Sequence, residues 1–122
     1  MATTNTITEP VPGVRLHSFT ALAFGDVAVV PCYGARTILV QLTAGTFGDS
    51  TVTLAGSLAG SVYTGVYNEN DLATSVPGTA ITATAIGPIF RVQPCGNLRI
   101  SLNGTTGTGI QCQVLVDTRV AV

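Results

Sequence analysis

The sequence predicts an all-β domain, an antiparallel β-sandwich of jelly-roll-like form with little or no helix. Three observations predict it. Apolar and polar residues alternate with period two in several runs, clearest at Ile38, Val40 and Leu42, and that spacing lines one face of a pleated strand. Strand-length runs recur at roughly the 8–12-residue spacing of sandwiches and barrels, with glycine in nearly every connection. No stretch carries an apolar stripe at the 3.6-residue helical period with capping residues at its ends.

Taken in order, residues 1–13 are threonine-rich and end in Pro10-Val11-Pro12-Gly13. Proline donates no ladder hydrogen bond and restricts the residue before it, so this segment reads as an extended N-terminal arm. Residues 14–122 form a single β-sandwich domain. Val14 to Phe24 is a strand with a break near Ser18, followed by a turn at Gly25-Asp26. Val27 to Val30 is a short apolar strand closed by Pro31-Cys32-Tyr33-Gly34. The run from Ile38 to Ser57 reads as two alternating strands around Gly45-Thr46-Phe47-Gly48-Asp49-Ser50, a hairpin or meander unit.

Val62 to Tyr67 is strand-like, with Gly65 marking a bulge or a close backbone approach. Asn68 to Asp71 is a polar, acidic turn without the glycine and distal glutamate of a calcium loop. Val76-Pro77-Gly78 is a β-turn. Ala80 to Ile86 and Ile89 to Val92 are strands separated by Gly87-Pro88. Leu98, Ile100 and Leu102 alternate, then Asn103-Gly104 opens a glycine-rich loop into Ile110, Cys112, Val114 and Val116, which reads as a second hairpin. On that register Cys112 faces the core as a small hydrophobe.

Composition narrows the function. Of 122 residues, 46% are hydrophobic and 9% are charged, lysine is absent, and the formal net charge is -1. So few charges leave a surface of Thr, Ser, Asn, Gln and Gly, which suits a subunit packed against copies of itself or a larger assembly. Arg15, Arg36, Arg91, Arg99 and Arg119 are scattered along the chain, so no basic patch for nucleic acid is expected. No run is long enough for a membrane helix, no signal peptide is visible, and no membrane partner is expected. Three cysteines with no Cys-x-x-Cys spacing suggest free thiols rather than a zinc site or disulfide framework.

Chemistry-bearing residues are sparse. His17 is the only histidine. It lacks neighbouring ligands and an orienting partner, and is expected to face solvent or an interface. There is no nucleophile elbow and no phosphate-binding loop. The six acids are scattered, with only Glu69 and Asp71 close in sequence. The expectation is a protein that is not an enzyme and takes no cofactor.

The run ILVQLTAGTFGDSTVTLAGS resembles a segment of small tailed-bacteriophage structural proteins, and IFRVQP followed by LRISLNG and a glycine-rich loop resembles the ending of the same proteins. The family is that of head decoration, or cement, proteins. The resemblance implies a β-sandwich that binds the outside of the capsid as an oligomer, most simply a trimer, and stabilises the shell. The implied partners are the major capsid protein and further copies of the chain. The implied location is the virion surface after synthesis in the host cytoplasm. Partner contacts are expected at Thr4, Ile7, Pro10, Val11 and Pro12 of the arm and at Tyr63, Val66 and Tyr67 of an exposed loop. Two other readings fit the same composition: a tail, baseplate or fibre-associated subunit, and a carbohydrate- or ligand-binding sandwich.

Overall fold

Alternation in the sequence becomes alternation in burial. A computed structural model describes residues 4–22, 27–66, 81–83, 86–104 and 107–119. Among them are the strands β1 (Thr4–Val11), β2 (Val14–Leu22), β3 (Val27–Pro31), β4 (Thr37–Thr46), β5 (Thr51–Ser57), β6 (Thr64–Gly65), β7 (Ile81–Ala83), β8 (Ile89–Val92), β9 (Asn97–Asn103) and β10 (Thr108–Asp117). Ile38, Val40 and Leu42 of β4, Leu98, Ile100 and Leu102 of β9, and Ile110, Cys112, Val114 and Val116 of β10 are all buried in one core. Residues between them are half-buried or exposed. These three strands therefore each give one face to the interior, as the pleat requires.

The strands form two antiparallel sheets, one of order β1-β2-β10-β4-β8 and the other of order β3-β9-β5-β6, with β7 also paired to β5. The pairs β2·β10, β3·β9, β4·β8 and β5·β7 describe one long ladder folded back on itself. Rolling that ladder adds the pairs β10·β4 and β9·β5. The result is a jelly roll, two stacked sheets between which the chain crosses repeatedly. β1 is added outside it, as the edge strand beyond β2.

Both expected hairpins are corrected by this topology. β4 pairs with β10 and β8, while β5 pairs with β9, β6 and β7. The residues between β4 and β5 are a corner from one sheet to the other. The same holds between β9 and β10, which lie in opposite sheets. The two corners stack. The Gly107 N–H donates to Ser50 Oγ at 2.7 Å, and Ser50 is buried. Gly104 has φ +91, and a Cβ there would stand 2.7 Å from Ser50 Cα. Gly45 has φ +123, and a Cβ there would lie 2.5 Å from Ile110 Cα. These glycines serve close backbone approach in a corner rather than a tight hairpin turn.

Two further expectations change. β2 runs through Ser18 without a break, because Ser18 pairs with both Thr6 and Gln113, and its Oγ accepts from Gln113 Nε2 at 3.4 Å. The irregularity lies later, where the β10 register shifts between Cys112↔Phe19 and Ile110↔Leu22. The strand expected over 62–67 shortens to Thr64–Gly65, since Val66 turns inward and packs into the core. The expected turns at Gly25-Asp26, Asn68 to Asp71 and Val76 to Gly78 lie outside the described residues.

Candidate functional site

Two features of the surface stand out, and the fold places them on different sheets. The first is β1. Its inner edge pairs with β2 through Thr4↔Thr20, Asn5↔Phe19, Thr6↔Ser18, Ile7↔His17 and Thr8↔Leu16. Its other edge has no partner strand among the described residues. Thr6 to Val11 are exposed on both faces of the strand, with Ile7 at 55% and Val11 at 44%. A strand that projects beyond the sandwich in this way offers backbone donors and acceptors as well as apolar side chains. The register slips between Thr8 and Val11, where Pro10 interrupts the donors. The turn that follows is held by the Gly13 N–H donating to Glu9 Oε1 at 3.1 Å and by the Thr118 N–H donating to the Gly13 carbonyl at 2.8 Å.

Of the expected contact residues, Thr4, Ile7, Pro10 and Val11 lie on β1 and Pro12 in the exposed turn behind it. The structure brings these five together along one border. Tyr63 and Val66 belong to the other sheet's margin. Tyr63 is half-buried, with the Arg99 guanidinium 4.3 Å from its ring centroid, a cation–π contact on the outer face of β9. Val66 is corrected from surface to core. It is 2% exposed, and a Cβ on Gly56 would stand 2.7 Å from its Cγ1. Absence of a side chain at position 56 is what lets Val66 in. Tyr67 lies outside the described residues.

The second feature is a cleft of about 370 Å³ at the Ser57 end of β5, lined by Gly56 to Ala59, Val62, Thr64, Val66 and Gln93 to Cys95. Its rim carries Leu58 at 83% and Val62 at 80% exposure. Bare apolar side chains beside a concave surface are the usual mark of a binding region. Sequence reading missed this cleft, because it joins the loop after β5 to the segment before β9. The adjacency comes from the pairing Ser57↔Asn97 and from the Gly96 N–H donating to the Ser57 carbonyl at 2.8 Å.

Cys95 lies in the wall of this cleft and packs against the core. Buried Cys32 is its neighbour. The Cys32 N–H donates to the Gly96 carbonyl at 2.7 Å, and the Cys32 thiol donates to the Val30 carbonyl at 3.3 Å. The neighbouring Cys32 thiol, with the Ser57 backbone, holds the Cys95 thiol below its ordinary pKa against the effect of burial. Cys32 is pushed up by the same thiol contact and by burial. Cys112 stands apart in the core, pushed up to about 12 by burial alone.

His17 is corrected as well. Rather than facing solvent it is 1% exposed, with its ring stacked beside Phe19 at 6.5 Å between centroids. Neither ring nitrogen has a hydrogen-bond partner among the described residues. Burial, followed by the nearby Arg15 charge, depresses its pKa, so the ring is held neutral.

No protein-family model matches the chain, and no curated protein matches it.

Proposed function

We propose that the chain is a structural subunit of a bacteriophage virion, a decoration protein that binds the outside of the head and stiffens the shell. On this reading it is not an enzyme. Its partners are the major capsid protein and further copies of itself, grouped in trimers, and it is made in the host cytoplasm before joining the particle.

The observation that carries the reading is β1. An eight-residue strand exposed on both faces from Thr6 to Val11, with one edge unpaired among the described residues, is a poor surface for a free monomer and a good one for an assembly. No lysine guards that edge, although lysine is a common edge protector. A surface with only 9% charged residues in the whole chain supports the same reading.

The test compares particles with and without the protein, by heating and by imaging. Added protein is expected to raise the temperature at which shells open and to leave density on the outer capsid surface. Equal shell stability with no surface density would sink the proposal, and density on the tail or baseplate would reassign the protein to that structure. The double variant Ile7→Glu, Val11→Glu is expected to weaken particle binding by roughly tenfold or more. An unpaired carboxylate buried in a contact costs above about 1.4 kcal/mol. The variant fold should survive, because both positions are exposed.

A ligand-binding sandwich is the second reading, favoured by the cleft beside Leu58 and Val62. It predicts a monomer in solution that binds a glycan or small molecule, with binding lost on Val62→Glu.

A further inference from the structure

The cleft and the thiol pair meet at one residue. Cys95 lies in the cleft wall, half-buried, while Cys32 sits behind it at full burial in the core. Their main chains are tied. The Cys32 N–H donates to the carbonyl of Gly96, next to Cys95, and the Gly96 N–H donates to the Ser57 carbonyl. Pro31 and Asn97 are directly paired in the ladder just inside this point. Cys32 therefore lies opposite Gly96, one residue along from Cys95, and Cys95 packs against the core cluster that holds Cys32.

We propose that Cys95 and Cys32 form a dithiol–disulfide site, reached through the cleft, whose co-reactant is a low-molecular-weight disulfide of the glutathione class. The site is independent of the virion reading. Cys95 is the attacking residue, because it lines the open cleft, and Cys32 is the resolving residue, because no solvent reaches it. The neighbours that favour the Cys95 thiolate support this order.

The chemistry proceeds in two exchanges. The Cys95 thiolate attacks one sulfur of the reagent disulfide. A mixed disulfide forms at Cys95 Sγ, and one reagent thiolate leaves and takes up a proton. Cys32 then gives up its proton and attacks Cys95 Sγ. The Cys32–Cys95 bond forms, and the second reagent thiolate leaves and is protonated. The protein pair loses two electrons and two protons, and the reagent is reduced to two thiols. Cys112, buried and distant from the cleft lining, takes no part.

The experiment treats the folded, reduced chain with glutathione disulfide and follows intact mass, thiol count and a peptide map. The three thiols of the reduced chain are expected to fall to one, with a mass loss of two hydrogens and a Cys32–Cys95 linked peptide. Cys32→Ser is expected to stop at a stable glutathione adduct on Cys95, and Cys95→Ser to remain unmodified. If a variant fails to fold, acid-quenched early time points of the wild type replace it, with the transient adduct expected on Cys95. Failure of the folded wild type to react, reaction only in denaturant, a linkage between two chains, or a first adduct on Cys32 would each overturn the proposal.

Discussion

His17 is the residue whose environment departs furthest from its chemistry. An imidazole with both nitrogens buried and unpartnered among the described residues must stay neutral, since charging it without a partner is costly. Its folded pKa lies below the ordinary value of 6.5, so the unfolded chain binds the proton first. Stability is then full above about pH 6.5 and falls as the pH drops below it, at up to about 1.4 kcal/mol per pH unit. Denaturant midpoints measured between pH 7.5 and 5 are expected to decline in the wild type. In His17→Phe that decline should be largely gone. Asp117, depressed by its hydrogen bonds and ion pair with Arg119, loses its contribution only at lower pH, outside this window. The burial of His17 was not legible in the sequence. A lone histidine in a polar-apolar run looks like a surface residue until the ladder shows it opposite Val114 on the inner face of β2.

At the scale of elements, the sequence made the strands readable and their partners unreadable. Alternation is a local property, and it marked Ile38 to Leu42, Leu98 to Leu102 and Ile110 to Val116 as strands, all of which the structure contains. Pairing is not local. Asn103-Gly104 and Gly48-Asp49 have the composition of hairpin turns, yet each leads the chain across the sandwich, because β10 and β5 find their partners elsewhere. The stacked corners give this choice an energetic handle. Ser50→Ala leaves the buried Gly107 N–H without its acceptor and is expected to cost about 1–3 kcal/mol. Gly104→Ala forces a side chain into a left-handed backbone and against Ser50, and should cost at least as much, about 1–3 kcal/mol. Chemical denaturation of both variants measures this. A loss below a few tenths of a kcal/mol in either would mean that the corners do not hold the sheets together.

The molecule as a whole has a covered interior and an incompletely covered perimeter. Buried residues from both sheets, from Phe19 to Val116 in sequence order, join in one core cluster, while exposed apolar residues collect at β1, on the outer face of β3 and around the cleft. A fold that has closed its interior so fully gains nothing by leaving Ile7, Val27, Val29, Leu58 and Val62 bare, unless another surface covers some of them. Mass in solution, measured across a wide concentration range, is expected to rise above that of the 12.4 kDa chain as copies associate. A single monomeric mass at the highest concentration would count against association between copies. The two exposed surfaces were only half legible. The N-terminal segment announced itself by its prolines and threonines. The cleft did not, because its walls come from two separate segments of the chain, 56–66 and 93–95.

The folded ladder also sets a timetable for synthesis. β1 pairs with β2 at once, and β5 meets β6 and β7 soon after it emerges. The other edge of β2 waits for β10, β3 waits for β9 and β4 for β8, so much of the first half of the chain leaves the ribosome before its partners are made. Closure is therefore a late, collective event, slow in the manner of folds built on distant contacts. Until it happens, several alternating strands stand open together in a chain without lysine, the condition under which unpaired edges invite aggregation.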